Sequence, residues 1–123
     1  MKNNISVKVK TNYIETQSAP ALERYVFSYT ITITNEGDTP ARLLSRHWII
    51  TDGHGSVQEV RGAGVVGEQP YLAPGESYEY TSGTVMESPV GSMHGSYHMI
   101  ADDHEEFDAP IPSFTLSIPH SLH

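Results

Sequence analysis

Cysteine is absent from this chain, and that removes disulfides, thiolate metal sites and cysteine nucleophiles from consideration. Basic residues are scarce too. Lys and Arg number 7 against 15 Asp and Glu, a formal charge of -8 that disfavours nucleic-acid backbones and anionic membranes as partners and favours cations or basic protein surfaces. No apolar run approaches the roughly 20 residues of a membrane helix, so membrane insertion is not expected. Met1 to Asn4 leads into the alternating Ile5-Ser6-Val7-Lys8-Val9 and not into an unbroken apolar segment, so no secretory signal is read. The expectation is a soluble, cytoplasmic protein. At 123 residues it is read as one domain over 1–123 with its core from about residue 5 to 118, since a doubly wound nucleotide domain with a second substrate domain would not fit.

Helical periodicity is missing as well, and what is present instead is alternation. Ile5, Val7 and Val9 alternate with Ser6, Lys8 and Lys10, which predicts a strand with one buried face. Tyr25 to Thr34 is the cleanest case, with Tyr25, Phe27, Tyr29, Ile31 and Ile33 on one parity. It stops at the turn cluster Asn35-Glu36-Gly37-Asp38. Leu43 to Thr51 carries apolar residues on both parities, which predicts a central strand, and Asp52-Gly53-His54-Gly55 predicts a hairpin turn into a short strand over Ser56 to Val60. Further strands are expected over Ser77 to Met86, with Gly83 marking a bulge, over Gly95 to Ala101 after a turn at Pro89-Val90-Gly91, and through Pro110-Ile111-Pro112 to Ile118. The prolines put that last segment on an edge or at a bulge. Seven or more short strands at such spacings predict an all-β antiparallel sandwich of immunoglobulin or fibronectin type III character.

Val60 to Pro70 holds Gly62, Gly64 and Gly67 in the spacing G-x-G-x-x-G. A dinucleotide site of that pattern needs a helix after the glycines, whose N-terminal N–H groups hold the pyrophosphate. Pro70 and the Pro74-Gly75 turn preclude one, so the segment reads as a β-to-β connection. An anion or pyrophosphate pocket stays open as a second reading. If Leu43–Thr51 pairs with Ser56–Val60, Arg46 and Arg61 come to one end of the ladder beside the N–H groups of Gly62, Ala63 and Gly64. The competing expectation is that both arginines pair with carboxylates such as Glu59 and Glu68.

The 7 histidines invite a metal hypothesis. His94 and His98 lie on a predicted strand, where four residues span about 13 Å, too far to share an ion. His47, His54 and His104 fall in separate segments, and His120 and His123 in a solvated tail. Asp102, Asp103 and Glu105, with Glu106, offer oxygen donors of the kind Mg2+ or Ca2+ prefers, in a hairpin tip that more simply reads as solvated surface. Ser92-Met93-His94-Gly95-Ser96 is not a nucleophile elbow, and no serine has an identifiable base, so no catalytic residue is assigned.

Six ordered blocks resemble the ApaG family: Arg46-His47-Trp48-Ile49-Ile50-Thr51-Asp52, Gly62 through Pro70, Pro74-Gly75-Glu76, Tyr80-Thr81-Ser82-Gly83, Gly91 through Tyr97, and Phe107 with Ile111-Pro112-Ser113-Phe114. The resemblance as a whole covers about Ile5 to Leu116. The resemblance implies a fibronectin-type sandwich, a link to cobalt and magnesium efflux, a genetic link to a diadenosine tetraphosphate hydrolase, and relatives inside F-box proteins and a polymerase-delta-interacting protein. Two function classes follow. One is a non-enzymatic protein-interaction or regulatory module with an unidentified protein partner, using exposed-looking aromatics Trp48, Tyr71 and Tyr97, requiring no cofactor and affecting Co2+ and Mg2+ only indirectly. The other is a sensor holding a dinucleotide polyphosphate, or weakly a divalent cation (Mg2+ or Co2+), at Gly62–Gly67. Sheet edges also leave homo-oligomerisation open.

Overall fold

The computed structural model describes residues 2–119. Its strands are β1 (Ile5–Tyr13), β2 (Tyr25–Asn35), β3 (Ala41–Asp52), β4 (Val57–Ala63), β5 (Tyr71–Leu72), β6 (Ser77–Met86), β7 (Val90–Ala101) and β8 (Glu106–Ser117). The only helical segments among the described residues are 3-10 turns at Glu15–Gln17 and Pro20–Leu22. One antiparallel sheet runs β1-β2-β6; the other runs β4-β3-β7-β8, with β5 attached to β3. They stack as a sandwich, β1 lying against β8.

Alternation becomes burial directly in β2, where Phe27, Tyr29, Ile31 and Ile33 are all buried. On its other face Thr30 hydrogen-bonds Thr81, Thr32 bonds Glu79 and Thr34 bonds Ser77, so polar cross-strand pairs hold the β2–β6 register. Gly83 pairs in register with Ser28, so the bulge predicted there does not occur. The bulges lie elsewhere. Leu43 and Ser45 of β3 face Met99 and His98 of β7, so Leu44 is an extra residue that switches parity and lets odd-numbered Leu43 and even-numbered Trp48 enter the same core. Pro112–Ser113 makes the same switch in β8, where Ile111 and Leu116 are both buried. That strand is a sheet edge, as its prolines predicted.

Aromatic side chains bind the layers together. Tyr29 meets Trp48 edge-on at 5.5 Å between ring centroids, and Trp48 meets Phe114 at 5.9 Å. The Tyr80 and Tyr97 hydroxyls hydrogen-bond at 2.5 Å inside the core. Burial pushes the Tyr80 phenol up to about 12 and, with Tyr80 beside it, raises Tyr97 further, so both stay protonated at neutral pH. Asn35, buried at the end of β2, donates to the Thr39 and Leu72 carbonyls and accepts from the Gly37 N–H. The predicted turn cluster is thereby tied to β5, a two-residue strand that alternation could not reveal.

Candidate functional site

The β3–β4 pairing predicted for Arg46 and Arg61 is present, with Arg46 opposite Gly62 and His47 opposite Arg61. Neighbouring positions on a strand point to opposite faces, so the two arginines share an end of the ladder and not a site. Arg46 turns inward. A Cβ on Gly62 would lie 2.8 Å from the Arg46 guanidinium, so the missing side chain is what admits the charge. Its Nη1 donates to the carbonyls of Ala63 at 3.1 Å and Gly64 at 3.0 Å. Arg61 turns outward, 3.7 Å from Glu59, which also takes a 2.8 Å hydrogen bond from His47.

The glycine-rich loop satisfies itself. Gly62 and Ala63 belong to β4, and the Gly64 N–H donates to the Leu44 carbonyl at 2.8 Å. Val65 and Glu68 exchange both backbone hydrogen bonds, while Val66 (φ 48°) and Gly67 (φ 80°) between them both have positive φ, as in a type I′ turn. A β-branched residue is a genuine outlier in that conformation, yet Val66 is 62% exposed. The N–H groups of Gly64, Val65 and Glu68 are therefore taken by carbonyls, and the nearby guanidinium is also engaged with carbonyls.

The aromatic candidates separate sharply. Trp48 is 3% exposed and Tyr97 fully buried, so the expectation that they lie on the surface is corrected. The Leu44 bulge turns Trp48 inward, and Tyr97 sits on the inward parity of β7 beside Met93 and Met99. Tyr71 is exposed. Arg42 stacks over its ring at 5.2 Å and its hydroxyl donates to Asp102 at 2.7 Å, which raises its pKa.

The acidic tip is distributed among partners. Lys2 pairs with Asp103 and, at 3.2 Å, with Glu105, while Asn3 bonds Glu105 at 2.5 Å. The Lys2 ammonium holds the Asp103 carboxyl below its ordinary range. Among the described residues no group of three or more His, Asp or Glu side chains is placed to hold a metal ion. His94 and His98 both lie on β7. His120 and His123 lie outside the described residues.

Two features escaped sequence reasoning. On the outer face of the larger sheet, a cleft of about 330 Å3 is lined by residues that include Ser45, His47, Arg61, Ser96, His98 and Asp108. His98 faces Asp108 at 2.8 Å through Nδ1 and Glu106 at 2.7 Å through Nε2. Two acceptor-only carboxylates require both ring nitrogens to donate, and they raise the pKa of His98, Asp108 most. A hairpin pairing of β7 with β8 would have exposed this cluster in the sequence.

The other feature is a lateral groove between β4 and β6. Its central part, about 290 Å3, is lined by Trp48, Ile50, Gln58, Val60, Ser82 and Thr84. Arg46, Val66 and Tyr80 line one end, Asp52, Val85 and Glu87 the other. Not one of the seven β4 residues is buried, and three of the exposed large apolar side chains, Val57, Val66 and Val85, stand along these cavities.

Comparison with known proteins places this architecture. The model for the ApaG domain matches residues 15–101. A protein of Nitrosospira multiformis named Protein ApaG is 62% identical over 122 residues, covering 99% of this chain and 96% of that one. Protein ApaG of Pseudomonas aeruginosa is 58% identical over 122 residues, covering 99% and 97%. A crystal structure titled as an ApaA protein from Bordetella pertussis superposes with a TM-score of 0.95 at 50% identity, covering 98% of both chains. The chain belongs to the ApaG family.

Proposed function

We propose that this ApaG-family protein is a non-enzymatic interaction module whose working surface is the lateral groove, and that any effect on cobalt or magnesium levels runs through its protein partner. The observation carrying this is a β4 strand without one buried residue, beside exposed Val57, Val66 and Val85. Apolar side chains gathered along an opening gain stability only when something covers them, at about 25 cal/mol per Å2 of surface removed from water. No helix among the described residues is long and apolar enough to cross a membrane, which favours an indirect role in ion handling over carriage by such a helix.

The sensor reading asks more of the same residues. A pyrophosphate at Gly62–Gly67 would have to break the Gly64-to-Leu44 and Val65–Glu68 backbone bonds and draw Arg46 off two carbonyls. Each buried group left unpaired would cost about 1–3 kcal/mol. A pull-down from extract of the cell of origin tests the interaction reading. A stoichiometric partner is expected, released by Val57→Lys and by Val85→Lys; recovery of nothing but the bait overturns it.

A further inference from the structure

We infer that the groove takes an extended peptide segment of a partner protein, which adds as a fourth strand to the free edge of β6. This rests on the interaction reading and names its occupant. The topology supplies the first reason, because a three-stranded sheet covers a five-stranded one that is four strands wide, β5 continuing the line of β4 along β3. β1 lies on β8, Tyr29 of β2 reaches Trp48 and Phe114, and β6 sits over β7 and β3, where Tyr80 meets Tyr97, Met86 closes on Gly91, and Tyr80 and Ser82 line one cavity with Arg46 and Trp48. That leaves the inner face of β4, carrying Gln58, Val60 and Gly62, with no strand above it. A strand hydrogen-bonded to β6 would lie there and complete a four-on-four sandwich.

The edges differ in a way that selects this side. β8 is blunted by Pro110 and Pro112 and β1 by Lys8 and Lys10, devices that discourage strand addition. Along the groove wall from Tyr80 to Met86, β6 carries neither proline nor lysine, and alternate residues direct their N–H and C=O groups away from β2. An added strand of about six residues, roughly 20 Å long, would satisfy them. The strained conformation of exposed Val66 fits the same purpose, since it keeps an apolar side chain at the groove rim where asparagine would suit the turn better.

Charge fixes the chemistry of the occupant. In a chain of net charge -8 the groove presents Arg46 at its Tyr80 end and Asp52 and Glu87 at its Met86 end. The complementary segment has small or β-branched side chains at alternate positions, over Val60 and Ile50. It carries an acidic side chain toward the Nε and Nη2 of Arg46, since only Nη1 donates to the Ala63 and Gly64 carbonyls, and a basic one toward Asp52 and Glu87.

The test screens the 123-residue protein against a random library of capped seven-residue peptides, then maps the selected peptide by amide protection and chemical shift. Enrichment of alternating sequences with an acid at one end and a base at the other is expected, with new protection among Thr81, Gly83 and Val85. Val60→Lys is expected to weaken binding at least tenfold, with Gln58→Lys, on the same inner face of β4, as the second variant if Val60→Lys melts early. Glu59→Gln, on the outer face, should leave binding unchanged. No enrichment over scrambled sequences, a footprint on the His47–His98 face, or affinity surviving both lysine variants overturns strand addition. A partner recovered by pull-down whose footprint lies elsewhere overturns it too while leaving the interaction reading standing; an empty pull-down removes that reading by itself.

Discussion

Replacing Val66 by asparagine should make the protein more stable, against the usual direction of surface substitutions. Val66 and Gly67 both hold positive φ between Val65 and Glu68, and asparagine followed by glycine is the favoured pair for such a turn. Holding a β-branched residue in the left-handed region costs about 2 kcal/mol. Val66 is 62% exposed, so roughly a third of its side chain packs, worth about 0.8 kcal/mol on a full-burial value near 2. The net expectation is a gain of about 1 kcal/mol, or about 4 °C in Tm for a domain of this size. Thermal and urea unfolding measure it, and Val66→Gly should gain less because glycine also loosens the unfolded chain. A Val66→Asn protein melting at or below the parent would refute the strain argument. If strand addition is right, the same variant should bind the selected peptide several-fold more weakly.

Four further expectations rest on the same structure. Gly62→Ala should cost no more than about 1 kcal/mol in urea unfolding, since it displaces the flexible end of Arg46 from two partly solvated carbonyls, and almost nothing in an Arg46→Ala background; additive effects would disprove the coupling. Tyr97→Phe leaves the buried Tyr80 hydroxyl without its partner and should cost about 1–3 kcal/mol, which calorimetry can read. Trp48→Ala should lower stability by about 3–5 kcal/mol as a core truncation, whereas exposed Tyr71→Ala should cost under about 1 kcal/mol; equal effects would contradict the burial difference. The folded pKa of His98 is raised above its unfolded value by Asp108 and Glu106, so its stabilising contribution is complete below about pH 6.5 and fades as pH rises through the folded pKa. Being largely exposed and screened, it should be small; NMR titration of His98 reads the raised pKa directly, and a value at or below 6.5 would refute it.

Much of the fold was legible because burial in a sandwich is written as alternation. Tyr25 to Thr34 showed its inward face residue by residue, and Ser77 to Met86 has the predicted bounds. Parity switches were not legible. Leu44 inserts one residue into β3, and nothing local distinguishes it from an ordinary strand residue, so Trp48 read as surface while being core. Pro112 gave a stronger hint because proline cannot donate to a ladder.

By itself the sequence determined the all-β class, the turns that follow β2 and β3, the exclusion of cysteine chemistry and the family resemblance, since composition and short-range pattern carry all of these; the turn read at Pro89-Val90-Gly91 is not among them, because Val90 and Gly91 open β7. The tertiary structure decided which partner each polar group found. It put Arg46 and Arg61 on opposite faces, closed the glycine loop on its own carbonyls, and gathered His98, Asp108 and Glu106 across a hairpin. The uncovered β4 belongs to the same category. A three-stranded sheet facing one that is wider by a strand is a property of how sheets stack, and no single segment encodes it.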